Sequence, residues 1–329
     1  MRRHVNIKWK CPAGKQPVGK VTATDGDTFD FVIVGSGAAG SVLCACLTED
    51  PDVTACVVEC GPPDRHPFIN VPTSVIRMLF NPACTWQFQT EPGEGINSHR
   101  IPTAQDRTLG GSNSINGMIY NHGQRENFDS WAQRGNRGWG YVDILPYFKR
   151  GERRIGVADK RIRGHGGSLP VTSNDWIHPV NEVFIAGLQE LGIPRNPDYN
   201  SGDDQADVGY SQRAINGGYR HSAARVFLHP AQASGRPNIL ADARAARNLF
   251  EGKRARGVRY VSDRATVRDV FARKEVIVSC GSANTAKLLQ MSDIGPTVPL
   301  QQLDVETIAD LPVWARTSAT TARPESSRE

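Results

Sequence analysis

FVIVGSGAAGSVL, residues 31–43, decides the fold of this 329-residue chain. The run FDFVIV (residues 29–34) is aromatic and β-branched, which suits a strand buried on both faces of a parallel sheet. Gly35, Gly37 and Gly40 follow at once, and SVLCACLTED then spaces its apolar residues one turn apart, predicting a helix. ACVVEC (residues 55–60) predicts a second buried strand, completing a βαβ frame. Gly35 permits the tight turn, Gly37 lets the backbone approach a pyrophosphate, and Gly40 lets the helix lie close on the sheet with its N-terminus toward the phosphates. Glu59 closes the second strand 24 residues after Gly35, near the spacing of a carboxylate that accepts hydrogen bonds from a ribose hydroxyl. A lone GxGxxG is a weak signal, but in this setting it predicts dinucleotide binding. The frame leaves NAD and FAD open, and the acidic Glu59 disfavours the 2′-phosphate of NADP.

Composition narrows the class further. The chain is 39% apolar and 22% charged, enough for two packed domains or one large one. Its net charge is +5, yet Lys and Arg are scattered among Asp and Glu, so no basic stripe predicts a nucleic-acid partner. The seven cysteines (Cys11, Cys44, Cys46, Cys56, Cys60, Cys84, Cys280) form no CxxC pair and no zinc spacing, which predicts no metal site. Their odd number leaves a thiol unpaired, as fits a reducing, cytoplasmic compartment; Cys44, Cys46 and Cys56 read as small buried hydrophobes. No run approaches the roughly 18 apolar residues of a membrane span. The first 24 residues lack Asp and Glu and lack the apolar core of a secretory signal; a basic arm is expected, with a mitochondrial presequence as the alternative.

A second glycine-rich stretch, RTLGGSNSINGMIY (residues 107–120), has small residues that let backbone amides face an anion or a ring edge. Trp86 and Thr90-Glu91-Pro92 precede it, and NFDSWAQRGNRGWGYVDILPYFKR follows. Later come GHGGSLPV (164–171), YRHSAARVFLHPA (219–231), LFEGKRARGVRY (249–260) and KEVIVSCGSANTAKLLQMSDIGP (274–296). Together these resemble the glucose-methanol-choline (GMC) oxidoreductases, choline and alcohol dehydrogenases in particular, over residues 29–312.

The resemblance implies an α/β fold: a Rossmann-like FAD-binding domain with part of a smaller α+β substrate domain. It implies FAD as cofactor, with Gly35, Gly37, Gly40 and Glu59 at the ADP half. Thr108, Gly110, Gly111 and Ser112, then Asn116, Gly117, Met118 and Ile119, would run along the pyrophosphate and the flavin. It implies oxidation of a small-molecule alcohol, choline or another primary alcohol, by hydride transfer to the flavin, with the electron acceptor unspecified. The pattern departs from the family at Asp106, where Gly is usual, at Asn113 (Ser or Thr), at Ala286 (Pro or Ser) and at Asp293 (Gly). The segment from Asn238 to Leu249 is about two residues short, and Ala246 falls where a Val backbone meets the adenine.

The expected organisation is a basic arm (1–28), the first part of the FAD-binding domain (29–150), the start of the substrate domain (151–217), and the second part of the FAD-binding domain (218–312). A helical stretch from Arg125 to Arg150 would place Phe128, Trp131, Tyr147 and Phe148 in the core, and VNEVFIAGLQELG reads as an amphipathic helix. Alcohol oxidation needs a base, and His suits it near neutral pH, but none of the eight histidines fits. His165 belongs to a turn, and His221 and His229 read as packing or surface residues. A hydrolase is excluded because no G-x-S-x-G elbow exists. The resemblance puts the catalytic histidine and its partner in the family's C-terminal third, so no catalytic residue is assigned here.

Residues 313–329 lose all periodicity and predict a disordered tail. With GC-rich codons, VWARTSATT in a shifted frame becomes Val-Gly-Glu-Asn-Leu-Arg-Asp-His, which matches a family segment that follows DLP. The tail is therefore expected to be out of frame, and the chain a truncated, weakly active or inactive copy. A non-catalytic flavin-binding fragment and an NAD-dependent Rossmann dehydrogenase are the alternatives.

Overall fold

The computed structural model describes residues 23–202, 206–262, 265–302 and 304–311. The expected tail from residue 313, and most of the expected basic arm, lie outside the described residues. The arm ends before residue 28, because Ala23 is packed in the core and Thr28 already pairs with Phe271.

The opening frame forms β1 (Thr28–Val34), α1 (Ala38–Leu47) and β2 (Ala55–Val58). An antiparallel hairpin follows, β3 (Thr85–Gln89) with β4 (Pro102–Asp106). Next come α2 (Arg125–Gln133), α3 (Tyr141–Gly151) and α4 (Pro179–Glu190). The chain then returns to the main sheet with β5 (Pro237–Leu240), β6 (Ala243–Glu251), β7 (Arg254–Ser262) and β8 (Val267–Val278), followed by α5 (Gly281–Gln290).

The main sheet has the order β5-β2-β1-β8-β7-β6. β5, β2, β1 and β8 are mutually parallel, while β7 and β6 continue as an antiparallel meander. Strand periodicity explains why β1 and β2 are so apolar. Val32, Val34, Cys56 and Val58 pack on one face with Val258, Tyr260 and Leu288. Ile33 and Val57 point to the other face, against Cys44 of α1, Leu109 and Leu228. A strand covered on both sides cannot alternate with polar residues. Truncating a fully buried side chain such as Ile33 to Ala would cost about 2–5 kcal/mol.

Residues 125–150 form two helices rather than one stretch. Gly135 and Gly138, both at positive φ, turn the chain between α2 and α3. That turn leaves Trp131 46% and Tyr147 70% exposed, so neither is a core residue. Phe128 and Phe148 are half-buried and meet edge to face, with His122 stacked on Phe148.

Residues 151–217 carry short strands, Glu152–Arg154 parallel to Leu169–Val171, together with α4. Gln212–Arg213 pairs with Ile119–Tyr120 and so ties this segment to the end of the second glycine-rich stretch. A buried polar cluster fastens it. The Arg163 guanidinium donates to both oxygens of Glu152 and to Asp198 and Gln212, and both Arg163 and Glu152 are shut off from solvent. Of α4, Ile185 alone is buried, while Val180, Val183 and Phe184 face outward. The six described cysteines are free thiols. Among the described residues no helix is long and apolar enough to cross a membrane, and no group of ligating side chains could hold a metal.

Candidate nucleotide-binding site

A cavity of about 1110 Å³ opens at the C-terminal ends of β1, β2 and β8. Open α/β sheets bind ligands at this edge, and the volume is at or slightly above the roughly 300–1,000 Å³ of small-molecule clefts. Gly35, Gly37, Glu59, Gly111 and Ser112 meet in its wall, joined by Trp86, Gln105, Asp106 and the turn from Ser279 into α5.

The three glycines of the first turn differ in what they face. Gly35 has φ +92°, and a Cβ there would sit 2.5 Å from the Ser279 carbonyl oxygen. A Cβ on Gly40 would lie 1.9 Å from the Gly35 carbonyl oxygen and 2.7 Å from the Ser279 hydroxyl, so Gly40 lies behind the wall and lets α1 close on the sheet. Gly37 is different. A Cβ on it would meet nothing nearer than the Gly111 Cα at 3.8 Å, so packing does not require glycine there. Its missing side chain leaves space in the cavity, beside the uncapped N-terminus of α1, whose Ala38 and Ala39 also line the wall. Free N–H groups at a helix N-terminus favour an anion.

Glu59 braces this turn from the end of β2. Its Oε2 accepts from the Ser36 amide at 2.9 Å and the Ser36 hydroxyl at 2.8 Å, and its Oε1 accepts from the Gly61 amide at 2.9 Å. The Cys60 thiol adds a weak fourth donor to Oε1 at 3.5 Å, and it is this position that a ribose hydroxyl would take over. The second turn docks on the first: the Gly110 amide donates to the Ser36 carbonyl at 3.0 Å, and Gly111 has φ +65°.

The other residues singled out in the sequence lie off the cavity wall. Thr108 is fully buried and its hydroxyl donates to the Pro62 carbonyl at 2.9 Å. Gly110, at φ +89°, packs on Ser114 and Ala224. Asn116, Gly117, Met118 and Ile119 run away from the cavity, Ile119 being 59% exposed. The Asn116 side-chain oxygen accepts from Arg220 at 2.8 Å and from the Met118 amide at 2.9 Å. Ala246 sits at a bulge in β6, where the register with β7 slips between Ala245 and Arg247, and Arg244 and Ala245 line the cavity in its place.

Sequence reasoning missed Gln105, Arg244 and Arg220. Gln105 donates to the Cys280 carbonyl at 3.0 Å and so holds the hairpin to the end of β8. Arg220 is 1% exposed and donates to the carbonyls of Ile69 and Asn113, bracing the second glycine-rich stretch; burial pulls its guanidinium down to about 10. Its only sequence signal is its place in YRHSAAR, beside His221. His165 is exposed, and His229 pairs with Asp64 at 3.0 Å. No histidine is among the described residues that line the cavity.

The parallel sheet, the double glycine turn and the braced carboxylate define a dinucleotide-binding α/β protein. Residues 29–302 match the family model described as GMC oxidoreductase, and the chain belongs to that family. It is 39% identical over 286 residues to the oxygen-dependent choline dehydrogenase of Brucella anthropi, covering 86% of this chain and 51% of that protein. Among solved structures it is similar to pyridoxine 4-oxidase from Mesorbium loti, with TM-score 0.81, 31% identity, and coverage of 86% of this chain and 55% of that one. It is also similar to an FAD-dependent oxidoreductase from Chaetomium thermophilum, with TM-score 0.80, 32% identity, and coverage of 86% and 51%. The chain thus spans about half the length of the relatives it matches.

Proposed function

We propose that this chain holds FAD, with the ADP half in the cavity, and that it forms the cofactor-binding part of an oxidoreductase acting on the CH–OH group of a primary alcohol such as choline. The observation that carries the reading is Gly37: the fold leaves its side-chain position empty although packing does not require it. A diphosphate approaching there would meet the amides of α1's first turn and of the Gly111–Ser112 turn. Glu59 would accept from a ribose hydroxyl while keeping the Ser36 turn in shape. Asn116, Gly117, Met118 and Ile119 would position the flavin end, with Arg220 as their support.

When bound, FAD would accept the hydride from the alcohol carbon. This chain's residues would bind and orient it, with the cross-strand pair Trp86 and Gln105 helping to close the wall. Among the described residues the wall carries no histidine to take the hydroxyl proton. That favours a second reading, in which the chain by itself holds flavin without turnover.

Titrating the purified chain with FAD, followed by choline-dependent reduction of an artificial electron acceptor, tests both. Saturable flavin binding supports the proposal, and binding without dye reduction selects the second reading. Nicotinamide binding with no flavin bound would overturn both.

A further inference from the structure

We infer that Asp106 couples nucleotide binding to proton uptake: its carboxyl group stands in the diphosphate cradle, and FAD binds the form of the chain in which that group carries a proton. The inference rests on the FAD reading above.

Asp106 is the last residue of β4 and lines the cavity with Gly35, Gly37, Gly111 and Ser112. Its Oδ2 lies 3.4 Å from where a Cβ on Gly111 would be, and that same Cβ would lie 2.4 Å from the Gly37 Cα. The carboxyl group therefore sits where the two glycine turns touch. The Ser112 hydroxyl donates to its Oδ1. Among the described residues no cation acts on it.

The surrounding elements supply little counter-charge. Just past β4, the Arg107 guanidinium turns away, donating to the Pro82 and Ala83 carbonyls and lying 5.4 Å from the Trp86 ring centroid. β3 presents Thr85 and Trp86, neither charged. From the end of β2, the Glu59 carboxylate repels Asp106, and the neighbouring Cys60 thiol is pushed up by burial. From the turn after β8 comes Cys280, pushed up to about 12 by burial, so it is a neutral thiol. Arg244 of β6 and Lys287 of α5 also line the cavity, and neither is among the groups acting on Asp106.

A dianionic diphosphate entering this cradle meets a carboxylate held by the Ser112 hydroxyl but, among the described residues, by no counter-ion. Burial, aided by Glu59 and opposed by the Ser112 hydroxyl, already holds Asp106 up at about 6. The cost of placing two like charges side by side is avoided when one proton is taken from solvent per FAD bound. Charge and atoms balance: carboxylate, proton and FAD give a carboxylic acid beside bound FAD, with no change of oxidation state.

The sign follows from linkage. Where Asp106 is protonated before binding, below about pH 6, affinity is independent of pH. Above that, affinity falls by up to about tenfold per pH unit until the proton no longer stays on in the complex. The full chain is titrated with FAD by fluorescence quenching from about pH 5.5 to 8.5, and by calorimetry near pH 7 in two buffers of unlike ionisation enthalpy, which counts protons. Wild type is expected to weaken with rising pH and to take up a proton. Asp106→Asn, and Asp106→Gly as a second variant, are expected to bind FAD with flat pH dependence and more tightly than wild type at the alkaline end. A flat wild-type profile with no proton uptake overturns the inference, and so does a wild-type slope that survives in both variants. If neither wild type nor the variants bind FAD at any pH, the FAD reading itself fails and takes this inference with it.

Discussion

Gly37 and Gly111 stand back to back, so that a Cβ on Gly111 would lie 2.4 Å from the Gly37 Cα. The two glycine-rich turns, 74 positions apart in the chain, are therefore one unit at the cavity floor. Gly111→Ala adds this clash to a backbone at φ +65° and is expected to cost about 2–4 kcal/mol, combining left-handed strain and overpacking, and to weaken FAD binding. Gly252→Ala is the control, since φ is +58° but nothing lies within 4 Å of its added Cβ; about 1–2 kcal/mol is expected, with FAD affinity kept. Urea unfolding and FAD titration of both variants check the contrast.

Glu59→Gln replaces one acceptor oxygen with a donor facing a donor. Either the Ser36 pair or the Gly61 amide loses its partner in a site that is 6% exposed. A stability loss of about 1–3 kcal/mol is expected, together with weaker FAD binding. An unchanged melting temperature would show that the brace does not hold the turn.

The cluster at Arg163 makes a different kind of prediction. Arg163→Met leaves Glu152 fully buried without its counter-ion and is expected to cost about 3–5 kcal/mol. Replacing both, Arg163→Met with Glu152→Met, should recover part of that loss, because the fully buried Glu152 charge is gone while only the partly exposed Asp198 is left without its cation. A double-mutant cycle by urea unfolding measures the coupling.

Burial pulls His122 down to about 4, below its ordinary value of 6.5. The unfolded chain then binds the extra proton first, so the stability owed to neutral His122 is full above about pH 6.5 and is lost as pH falls toward 4, at up to about 1.4 kcal/mol per unit. Asp106, held up at about 6, acts in the opposite sense between its ordinary 3.8 and 6, where the native state binds more protons. His122→Phe keeps the stack on Phe148 and removes the titration. Its stability is expected to hold or rise from pH 6 toward 4 where the wild type declines or stays level, as thermal unfolding across that range would show.

The βαβ frame was legible because residues covered on both faces carry a continuous apolar signal, as in Val32, Ile33 and Val34. The meander of β6 and β7 was not read as strands, since Arg244, Arg247, Arg254, Arg256 and Arg259 interrupt the apolar pattern. The cavity wall was half legible. Gly35 and Gly37 announce themselves, whereas Gln105 and Arg244 arrive from strands distant in sequence, and no local pattern marks them. The exposure of Trp131 and Tyr147 depends on the turn at Gly135 and Gly138, which the apolar count of the segment does not reveal.

β1 pairs on one side with β2, close in sequence, and on the other with β8, where Thr28 faces Phe271 and Val34 faces Val278. As the chain leaves the ribosome, β1 therefore waits for a partner strand made some 240 positions later, Thr28 for Phe271, with an apolar edge unpaired through the interval. Ser279 and Cys280, which also line the cavity, emerge just after β8. Nucleotide loading thus belongs after the synthesis of β8, and the interval before it is the period when the nascent chain most needs a chaperone's protection from edge-to-edge aggregation.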